Sequence, residues 1–221
     1  MPPPKITPIS AALYGYLEQH SFPAHPILPR LAEENSKLPD GGMQIPNHEA
    51  GFIHLLVKLC AAKSIVELGC YTGYSAIALA SALGDDGHLT TFDNDPKTSS
   101  TANRNFAAAG LDRKITLILG PALITFPKFL ETIPPMSLDL AFIDADKVSY
   151  ELYFELCLQG IRPGGLILID NAFRDGEILA PAPKDRGTQA VDRLTRKIQT
   201  DTRIESTMLP IADGLILVRK K

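Results

Sequence analysis

Short apolar runs alternate with longer segments of helical periodicity along most of the chain. The apolar runs predict strands at 64–68, 89–92, 115–119, 138–143 and 166–169. Between and after them, apolar residues recur every three or four positions. That spacing predicts helices over 72–83, 96–109, 122–132, 148–159 and 189–200. Such an alternation is typical of a parallel sheet with helices on both faces.

The two ends of the chain follow different patterns. Near the N-terminus, prolines separate helices that are predicted over 11–19, 30–37 and 47–62, the last with Asn47 as its N-cap. Near the C-terminus, two strands over 204–208 and 214–218 have no helix between them, which predicts an antiparallel hairpin. We therefore expect one domain over 1–221, with an N-terminal helical segment over 1–62 and an α/β core over 63–221.

Composition narrows the class of protein only slightly. The formal net charge is −3 at pH 7 and the pI is near 5.9, which does not support a nucleic-acid-binding face. Three widely spaced cysteines predict neither a disulfide framework nor a thiolate metal site. The N-terminus lacks the layout of a signal peptide, and no apolar run reaches the ~18 residues of a membrane span. We expect a cytoplasmic protein that binds neither nucleic acid nor a membrane.

Polar side chains follow the two most apolar predicted strands. Asp144, Asp146 and Lys147 come after the fourth strand, and Asp170 and Asn171 after the fifth. Ligands of open α/β sheets lie beyond the carboxyl ends of the strands, where Asp144, Asp170 and Asn171 can offer oxygens to one hard divalent cation. Taken alone, Asp170 and Asn171 fit equally well as caps of the following segment. The set of five favours chemistry on a substrate oxygen over capping.

The first predicted strand runs into a turn with the sequence Glu67-Leu-Gly-Cys-Tyr-Thr-Gly-Tyr-Ser75. Gly69 and Gly73 let the backbone pass close to a ligand, but their spacing is not that of a pyrophosphate-binding turn. The charge of Glu67 repels a pyrophosphate and attracts an ammonium or a sulfonium. Ser75, in the first turn of the next helix, can hydrogen-bond a carboxylate. The ligand so described is zwitterionic, as is the methionine part of S-adenosylmethionine.

Two further strand ends suit the nucleoside part of such a cofactor. Asp93 ends the second predicted strand, where an acid suits the two hydroxyls of a ribose. Gly120-Pro-Ala122 follows the third strand, and its small residues let a flat base lie against the backbone. The glycines alone predict only a turn. Together with Glu67, Asp93 and Asp144 they favour a nucleoside-type cofactor.

Six short motifs match those of a known family: Met43-Gln-Ile-Pro46, Glu67 to Ser75, Phe142-Ile-Asp-Ala-Asp-Lys147, Arg162-Pro-Gly-Gly165, Asp170-Asn171 and Leu209-Pro-Ile-Ala-Asp-Gly214. Through these motifs the sequence resembles the cation-dependent O-methyltransferases of the catechol and caffeoyl-coenzyme A type, from about Leu13 to Val218. The resemblance implies an α/β fold with a Rossmann-like, seven-stranded methyltransferase sheet, mostly parallel with a C-terminal antiparallel hairpin. It also implies a homodimer.

The resemblance further implies roles for individual residues. It implies a divalent cation, normally Mg²⁺, on Asp144, Asp170 and Asn171. Lys147 stands where relatives carry a lysine proposed as general base. The implied contacts with S-adenosylmethionine are Ile45, Glu67, Gly69, Cys70, Ser75, Asp93, Ala122, Asp144 and Asp146.

The region around the acceptor departs from the family pattern. Relatives often have Asp-Asn-x-Leu-Trp-x-Gly, whereas this chain has Asp170-Asn-Ala-Phe-Arg-Asp-Gly176, so Arg174 replaces a tryptophan. Asp175 occupies a position that can touch the acceptor. Arg174 can pair with an acidic group on the acceptor, and it also fits the alternative of an exposed loop arginine. Leu194-Thr195 stands where Phe-Asn is frequent.

Three functions remain open from the sequence. The first is methyl transfer to a hydroxyl of a vicinal diphenol of the catechol, hydroxycinnamate or flavonoid type. The second is a nicotinamide-dependent oxidoreductase, which Asp93 also suits, although Glu67 and the missing third glycine argue against it. The third is a protein that binds the cofactor without turnover. We expect the first, with a small phenolic substrate and with Lys147 as the base.

Overall fold

The structure of the protein, a computed structural model, describes residues 7–181 and 185–221. Three helices precede the sheet: α1 (Ala11–His20), α2 (Leu28–Asn35) and α3 (Asn47–Leu59). They lie in the segment predicted to be helical, of which residues 1–6 fall outside the described part. Asn47 does not cap α3, contrary to the prediction. Instead, the Glu18 carboxylate of α1 accepts hydrogen bonds from Asn47 N and His48 N, each at 3.1 Å.

The sheet is built from β1 (Ser64–Leu68), β2 (His88–Asp93), β3 (Ile115–Leu119), β4 (Leu138–Ile143), β5 (Ile161–Ile169), β6 (Ile204–Leu209) and β7 (Leu215–Lys220). Their order across the sheet is β3-β2-β1-β4-β5-β7-β6. β1 to β5 run parallel, and β7 pairs antiparallel with β5 and with β6. The predicted α/β class, with its C-terminal antiparallel hairpin, is confirmed. The outermost strand on the hairpin side of the sheet is β6, because β7, the last strand of the chain, lies between β5 and β6.

The segments between the strands form α4 (Tyr74–Ala80), α5 (Pro96–Ala108), α6 (Ala122–Leu130), α7 (Tyr150–Gly160) and α8 (Arg186–Thr200). Short 3₁₀ segments occur at Gly41–Met43 and Lys147–Ser149, and a kinked segment over Arg174–Leu179 is interrupted by the non-helical residues Asp175 and Gly176. α4 begins later than predicted because Gly73, with a φ of 89°, still belongs to the preceding turn. Within the described ranges, every helix is too short or too polar to cross a membrane.

Each face of the sheet has its own hydrophobic core. Successive strand residues point to opposite faces. In β4, Leu140 and Phe142 pack with buried residues of α2, α3, α4 and α5, whereas Ala141 and Ile143 pack with those of α6, α7 and α8. Because the strands are held from both sides, the residues immediately beyond their ends have fixed positions.

The residues beyond the strands are also joined to one another across the carboxyl edge of the sheet. Asp144 N donates to the carbonyl oxygen of Leu68 at 2.8 Å, and Asp170 N donates to that of Ile143 at 3.1 Å. The chain winds outward in opposite directions from the neighbouring strands β1 and β4. This edge is therefore the switch point at which open α/β sheets bind their ligands.

Candidate active site

A cavity of about 1010 Å³ lies over the carboxyl edge of the sheet. The loops after β1 to β5 line it, together with the start of α3 and the segment before that helix. Almost all of the side chains singled out in the sequence line it: Ile45, Gly69, Cys70, Ser75, Asp93, Ala122, Asp144, Asp146, Lys147, Asp170, Asn171, Arg174 and Asp175. A single cavity thus brings together the residues predicted for the cofactor, the cation and the acceptor.

Two glycines shape the turn after β1. Gly69 has a φ of 95° and Gly73 a φ of 89°, in the left-handed region that glycine adopts without steric cost. A Cβ on Gly69 would collide with the carbonyl oxygen of Asp144, and a Cβ on Gly73 would collide with the ring of Phe106 in α5. Both positions therefore require glycine, and at Gly69 the turn presents bare backbone to the cavity.

Asp93 anchors the same turn from the end of β2. Its Oδ2 accepts hydrogen bonds from Cys70 N and Tyr71 N at 2.9 and 2.8 Å, and its Oδ1 accepts one from Asp95 N at 3.0 Å. The sequence predicted a ribose ligand for this acid but not its role in the turn. Because three backbone donors hold the carboxylate, its orientation toward the cavity is set by the fold.

Glu67 lies behind the cavity wall. It belongs to β1 and not to the turn, and its side chain is completely buried. Thr91 Oγ1 donates to Glu67 Oε2 at 2.6 Å, whereas Oε1 meets no donor among the described residues. Burial raises the pKa of Glu67 to about 8, against hydrogen bonds from Ser75 and Thr91. A buried oxygen without a donor is costly, and a cationic ligand group would satisfy it.

Polar contacts from α2 close the end of the cavity at which the sequence predicts the cofactor, and no sequence motif indicated these contacts. The buried side chain of Asn35 donates to Thr72 Oγ1 at 2.8 Å and to Gln44 Oε1 at 2.7 Å. Thr72 belongs to the turn after β1, and Gln44 precedes the predicted cofactor contact Ile45. Asn35 therefore fastens the segment that carries Ile45 to the glycine turn.

At the other end of the cavity, the loop after β4 holds Lys147. The Lys147 Nζ donates to Asp144 Oδ1 at 2.7 Å and lies 5.3 Å from the centre of the Tyr150 ring. Asp146 accepts a hydrogen bond from Tyr153 OH at 2.6 Å, which fixes the same loop to α7. The Lys147 side chain is only 20% exposed, so its amine has little freedom to leave the cavity.

The single positive charge of Lys147 does not balance the negative charges of the acids around it. Asp170 is 3% exposed, and burial together with the charge of Asp144 raises the pKa of Asp170 to about 7. Burial also raises the pKa of Asp144, against the attraction of Lys147. One ammonium cannot neutralise this group of carboxylates, and a nearby positive ion would favour their charged forms.

Asp213, in the loop before β7, orients the predicted ligand Asn171. Asn171 has a φ of 58°, and its Nδ2 donates to Asp213 Oδ2 at 3.4 Å, so the amide nitrogen faces that carboxylate. Asp213 Oδ1 accepts a hydrogen bond from Asp175 N at 2.7 Å. Asp213 belongs to the motif Leu209 to Gly214, but its role becomes visible only in the folded loop.

Glu49, in the first turn of α3, is an acid of this centre that the sequence analysis missed. It lines the cavity and is completely buried, and neither of its carboxylate oxygens meets a hydrogen-bond donor in the described part of the chain. Burial, followed by the charges of Asp170 and Asp144, raises the pKa of Glu49 to about 10. Acids are common in the first turn of a helix, so the sequence carried no signal for this one.

The donor set fits a hard divalent cation. Within residues 7–181 and 185–221, no three or more His, Cys, Asp and Glu side chains are grouped so as to bind a metal ion. The predicted cation ligands are not three residues of those four types, because Asp144 and Asp170 supply carboxylates and Asn171 supplies an amide oxygen. All three are oxygen ligands of the kind that Mg²⁺ prefers, and Mg²⁺ is commonly bound through one or two carboxylates and water. The oxygens of Glu49, which lack donors, add to this preference.

The loop after β5 carries the two predicted acceptor residues. Arg174 and Asp175 have φ angles of 50° and 54°, which non-glycine residues adopt only when the surroundings hold them there. Phe173 N donates to the carbonyl oxygen of Asp213 at 2.7 Å and supplies part of that hold. Arg174 Nη2 lies 3.5 Å from Asp185 Oδ2, while its Nε meets no acceptor among the described residues.

The fold and the cavity together define a class of protein. A doubly wound sheet with a glycine turn at its switch point is typical of proteins that bind a nucleoside cofactor there, and an acidic centre with a lysine lies at the other end of the same cavity. The two ends together suit an enzyme that acts on a second molecule beside a bound cofactor.

Comparison with known proteins identifies the family within this class. The family model described as O-methyltransferase matches residues 18–221. The chain is 34% identical over 218 residues to catechol O-methyltransferase domain-containing protein 1 of Mus musculus, covering 99% of this chain and 82% of the relative. It is 35% identical over 219 residues to caffeoyl-CoA O-methyltransferase of Eucalyptus gunnii, covering 96% and 88%.

A solved structure agrees with these relatives. The O-methyltransferase from Bacillus cereus in complex with S-adenosylhomocysteine superimposes with a TM-score of 0.86 at 29% identity, covering 95% of this chain and 97% of that chain. The chain belongs to the S-adenosylmethionine-dependent O-methyltransferase family, of the catechol and caffeoyl-CoA type. The predicted family, enzyme class and methyl donor are confirmed. The alternatives of a nicotinamide-dependent oxidoreductase and of a protein without turnover are thereby set aside.

Proposed function

We propose that this enzyme methylates one hydroxyl of a vicinal diphenol and requires a divalent cation, normally Mg²⁺. The observation that carries the proposal is the acidic end of the cavity, where Asp144, Asp170 and Asn171 offer oxygen donors beside Lys147. The relatives named for catechol and for caffeoyl-CoA support an acceptor with two adjacent phenolic hydroxyls.

The proposed reaction begins with the loss of a phenolic proton. A phenol has a pKa of about 10 and is a weak nucleophile at neutral pH. A divalent cation held by Asp144, Asp170 and Asn171 would stabilise the phenolate, and it would favour an acceptor with two adjacent hydroxyls. The phenolic oxygen then forms a bond to the methyl carbon while the carbon–sulfur bond breaks. The products are a methyl ether, S-adenosylhomocysteine and one proton.

Lys147 is the group that takes up this proton. Its Nζ is bonded to Asp144 at 2.7 Å, and Asp144 also belongs to the cation donor set. Held by Asp144 beside the predicted cation ligands, the amine is placed to accept the phenolic proton as a general base. Asp144 and the ring of Tyr150 keep the amine in place, so little orientational freedom is lost in the reaction.

Arg174 and Asp175 are proposed to select the acceptor. Arg174 lines the cavity and its Nε meets no acceptor in the described part of the chain, so its guanidinium can pair with a carboxylate on the phenol. The tryptophan frequent at this position in relatives offers an apolar face instead. Among vicinal diphenols, a hydroxycinnamate with a free carboxylate is therefore a better candidate than an uncharged catechol.

A turnover assay with labelled S-adenosylmethionine tests the proposal. The panel contains a catechol, a hydroxycinnamate and a flavonoid, each beside an analogue with a single hydroxyl. We expect methylation of the vicinal diphenols alone, complete inhibition by excess EDTA and recovery with Mg²⁺. Full turnover in EDTA would remove the cation from the proposal, and equal turnover of the single-hydroxyl analogues would remove the vicinal diphenol.

A further inference from the structure

Glu49 lines the cavity, and the proposed reaction assigns it no role. It comes from α3, outside the strand ends that supply the other polar groups, and its side chain is 0% exposed. Neither oxygen meets a donor among the described residues. Leaving a buried acceptor without a partner costs about 1–3 kcal/mol, and more for a charged group, so its presence in the cavity wall calls for a ligand.

The polar groups that face Glu49 are other acids. The Asp170 carboxylate lies within hydrogen-bonding range, and the charges of Asp144 and Asp213 act on Glu49 as well. Two carboxylates can share a hydrogen bond only if one of them carries a proton. The Lys147 ammonium, which lines the same cavity, is hydrogen-bonded to Asp144. Among the described residues, acceptors therefore surround Glu49 and no donor reaches its carboxylate oxygens.

We infer that Glu49 is an outer member of the cation centre and accepts hydrogen bonds from water bound to the cation on Asp144, Asp170 and Asn171. The inference rests on the cation dependence proposed above. Mg²⁺ dehydrates reluctantly and usually keeps several waters, each of which is a strong donor that needs an acceptor. An outer position also agrees with the described residues, in which no three acids are grouped for direct ligation.

A purely structural role makes a different prediction. In that role Glu49 is a neutral acid that donates a hydrogen bond to Asp170 and positions it. Glu49→Gln separates the two roles, because an amide keeps the shape and can donate to Asp170 as a protonated acid does. The amide has no negative charge to offer to cation-bound water.

The experiment measures Mg²⁺ affinity by calorimetry on the full-length protein with S-adenosylhomocysteine bound. We expect Glu49→Gln to weaken Mg²⁺ binding about 10–100-fold, the usual effect of losing a group that supports a metal ligand. The matched control is Asp95→Asn, which removes one charge from the opposite end of the same cavity and keeps the N-cap of α5. We expect the control to bind Mg²⁺ as the wild type does.

Two further readouts exclude a general loss of structure. The affinity for S-adenosylhomocysteine and the unfolding temperature in EDTA should be unchanged in Glu49→Gln. Glu49→Asp, which keeps the charge but withdraws it by one methylene, should retain more of the Mg²⁺ affinity than Glu49→Gln. This second variant also tests the inference if the first does not fold.

Wild-type Mg²⁺ affinity in Glu49→Gln would overturn the inference and make Glu49 a neutral donor to Asp170, while leaving the proposed function intact. Weaker binding in Glu49→Asp than in Glu49→Gln would overturn it as well. A wild-type enzyme that binds no divalent cation would overturn the proposed cation dependence and the inference together.

Discussion

Two aspartates at opposite ends of the same pair of strands have opposite surroundings. Asp139, near the start of β4, accepts hydrogen bonds from Lys63 N at 2.7 Å, Ser64 N at 2.9 Å and Arg162 Nε at 2.6 Å. Although burial acts to raise it, these bonds hold the pKa of Asp139 below its usual value. Asp170, beyond the end of β5, faces other acids, and burial raises its pKa to about 7.

The difference between these aspartates lies in the supply of donors. Asp139 has enough donors to remain charged, and it ties β4 to the residues that begin β1 and β5. Asp170 lies where acids outnumber donors, so its charged form depends on a ligand that brings positive charge. Residue type alone does not separate the two cases. The balance of donors and acceptors does, and it marks the functional end of the sheet.

The strongest test of this comparison is Asp170→Asn. We expect turnover to fall by more than about 10⁴-fold, because loss of the cation removes several kcal/mol of charge stabilisation and also the group that makes the phenol acidic. The affinity for S-adenosylhomocysteine should be unchanged, since the proposed cofactor contacts lie elsewhere. A steady-state assay and calorimetry measure the two quantities.

The same variant has an expected effect on stability. The folded-state pKa of Asp170 is raised to about 7, so ionising this group costs stability as the pH rises from the unfolded value toward about 7. Asparagine does not ionise. In EDTA above about pH 7, Asp170→Asn should therefore unfold at the wild-type temperature or higher. A clear drop in that temperature would mean that Asp170, like Asp139, is a structural acid.

The next effect in size concerns Lys147. Lys147→Ala should lower kcat by roughly 10²–10⁴, the usual contribution of a general base, with little change in cofactor affinity. The deficit should shrink as the pH rises, because hydroxide can then remove the phenolic proton. Lys147→Arg keeps the positive charge but does not deprotonate, so it should be as slow as the alanine variant. Recovery of activity in Lys147→Arg, or a deficit that is constant with pH, would favour a role in pairing with Asp144.

The smallest effect is expected at the opposite end of the sheet. Asp139→Asn should lower the free energy of unfolding by about 1.5–3 kcal/mol, the range for hydrogen bonds to a charged group, and leave kcat unchanged. Because the folded-state pKa of Asp139 is lowered, its contribution is complete above about pH 4 and is lost as the pH falls through the lowered value. Chemical denaturation across this range measures it. A loss of turnover with unchanged stability would reverse the comparison.

Much of the fold was predictable from the hydrophobic pattern. The predicted limits of β1, β3 and β4 coincide with Ser64–Leu68, Ile115–Leu119 and Leu138–Ile143. Strands buried on both faces are uninterrupted apolar runs, so their ends are visible in the sequence. The predicted start of β5 was wrong, because its first residues include Pro163 and two glycines, which are typical of turns. Pairing of Ile161 with Leu138 across an irregularity in the ladder nevertheless extends the strand.

The sequence by itself also determined which chemistry stands at the carboxyl edge. Asp144, Lys147, Asp170 and Asn171 follow strands that lie side by side, and parallel strands bring their carboxyl ends to one edge of the sheet. The order of strands and polar residues along the chain was therefore sufficient to predict that these side chains lie close together. The same holds for the glycine turn, since Gly69 and Gly73 precede a helix whose position is set by the strand before it.

Only the tertiary structure decided which of the acids are short of donors. Asp139 is satisfied by residues that lie 76 positions before it and 23 positions after it. Glu49 joins Asp170 because α3 packs over the end of the sheet, and Asp213 orients Asn171 because β7 inserts beside β5. Hydrogen-bond satisfaction depends on groups far apart in the chain, so a local pattern that predicts strands and turns carries no record of it.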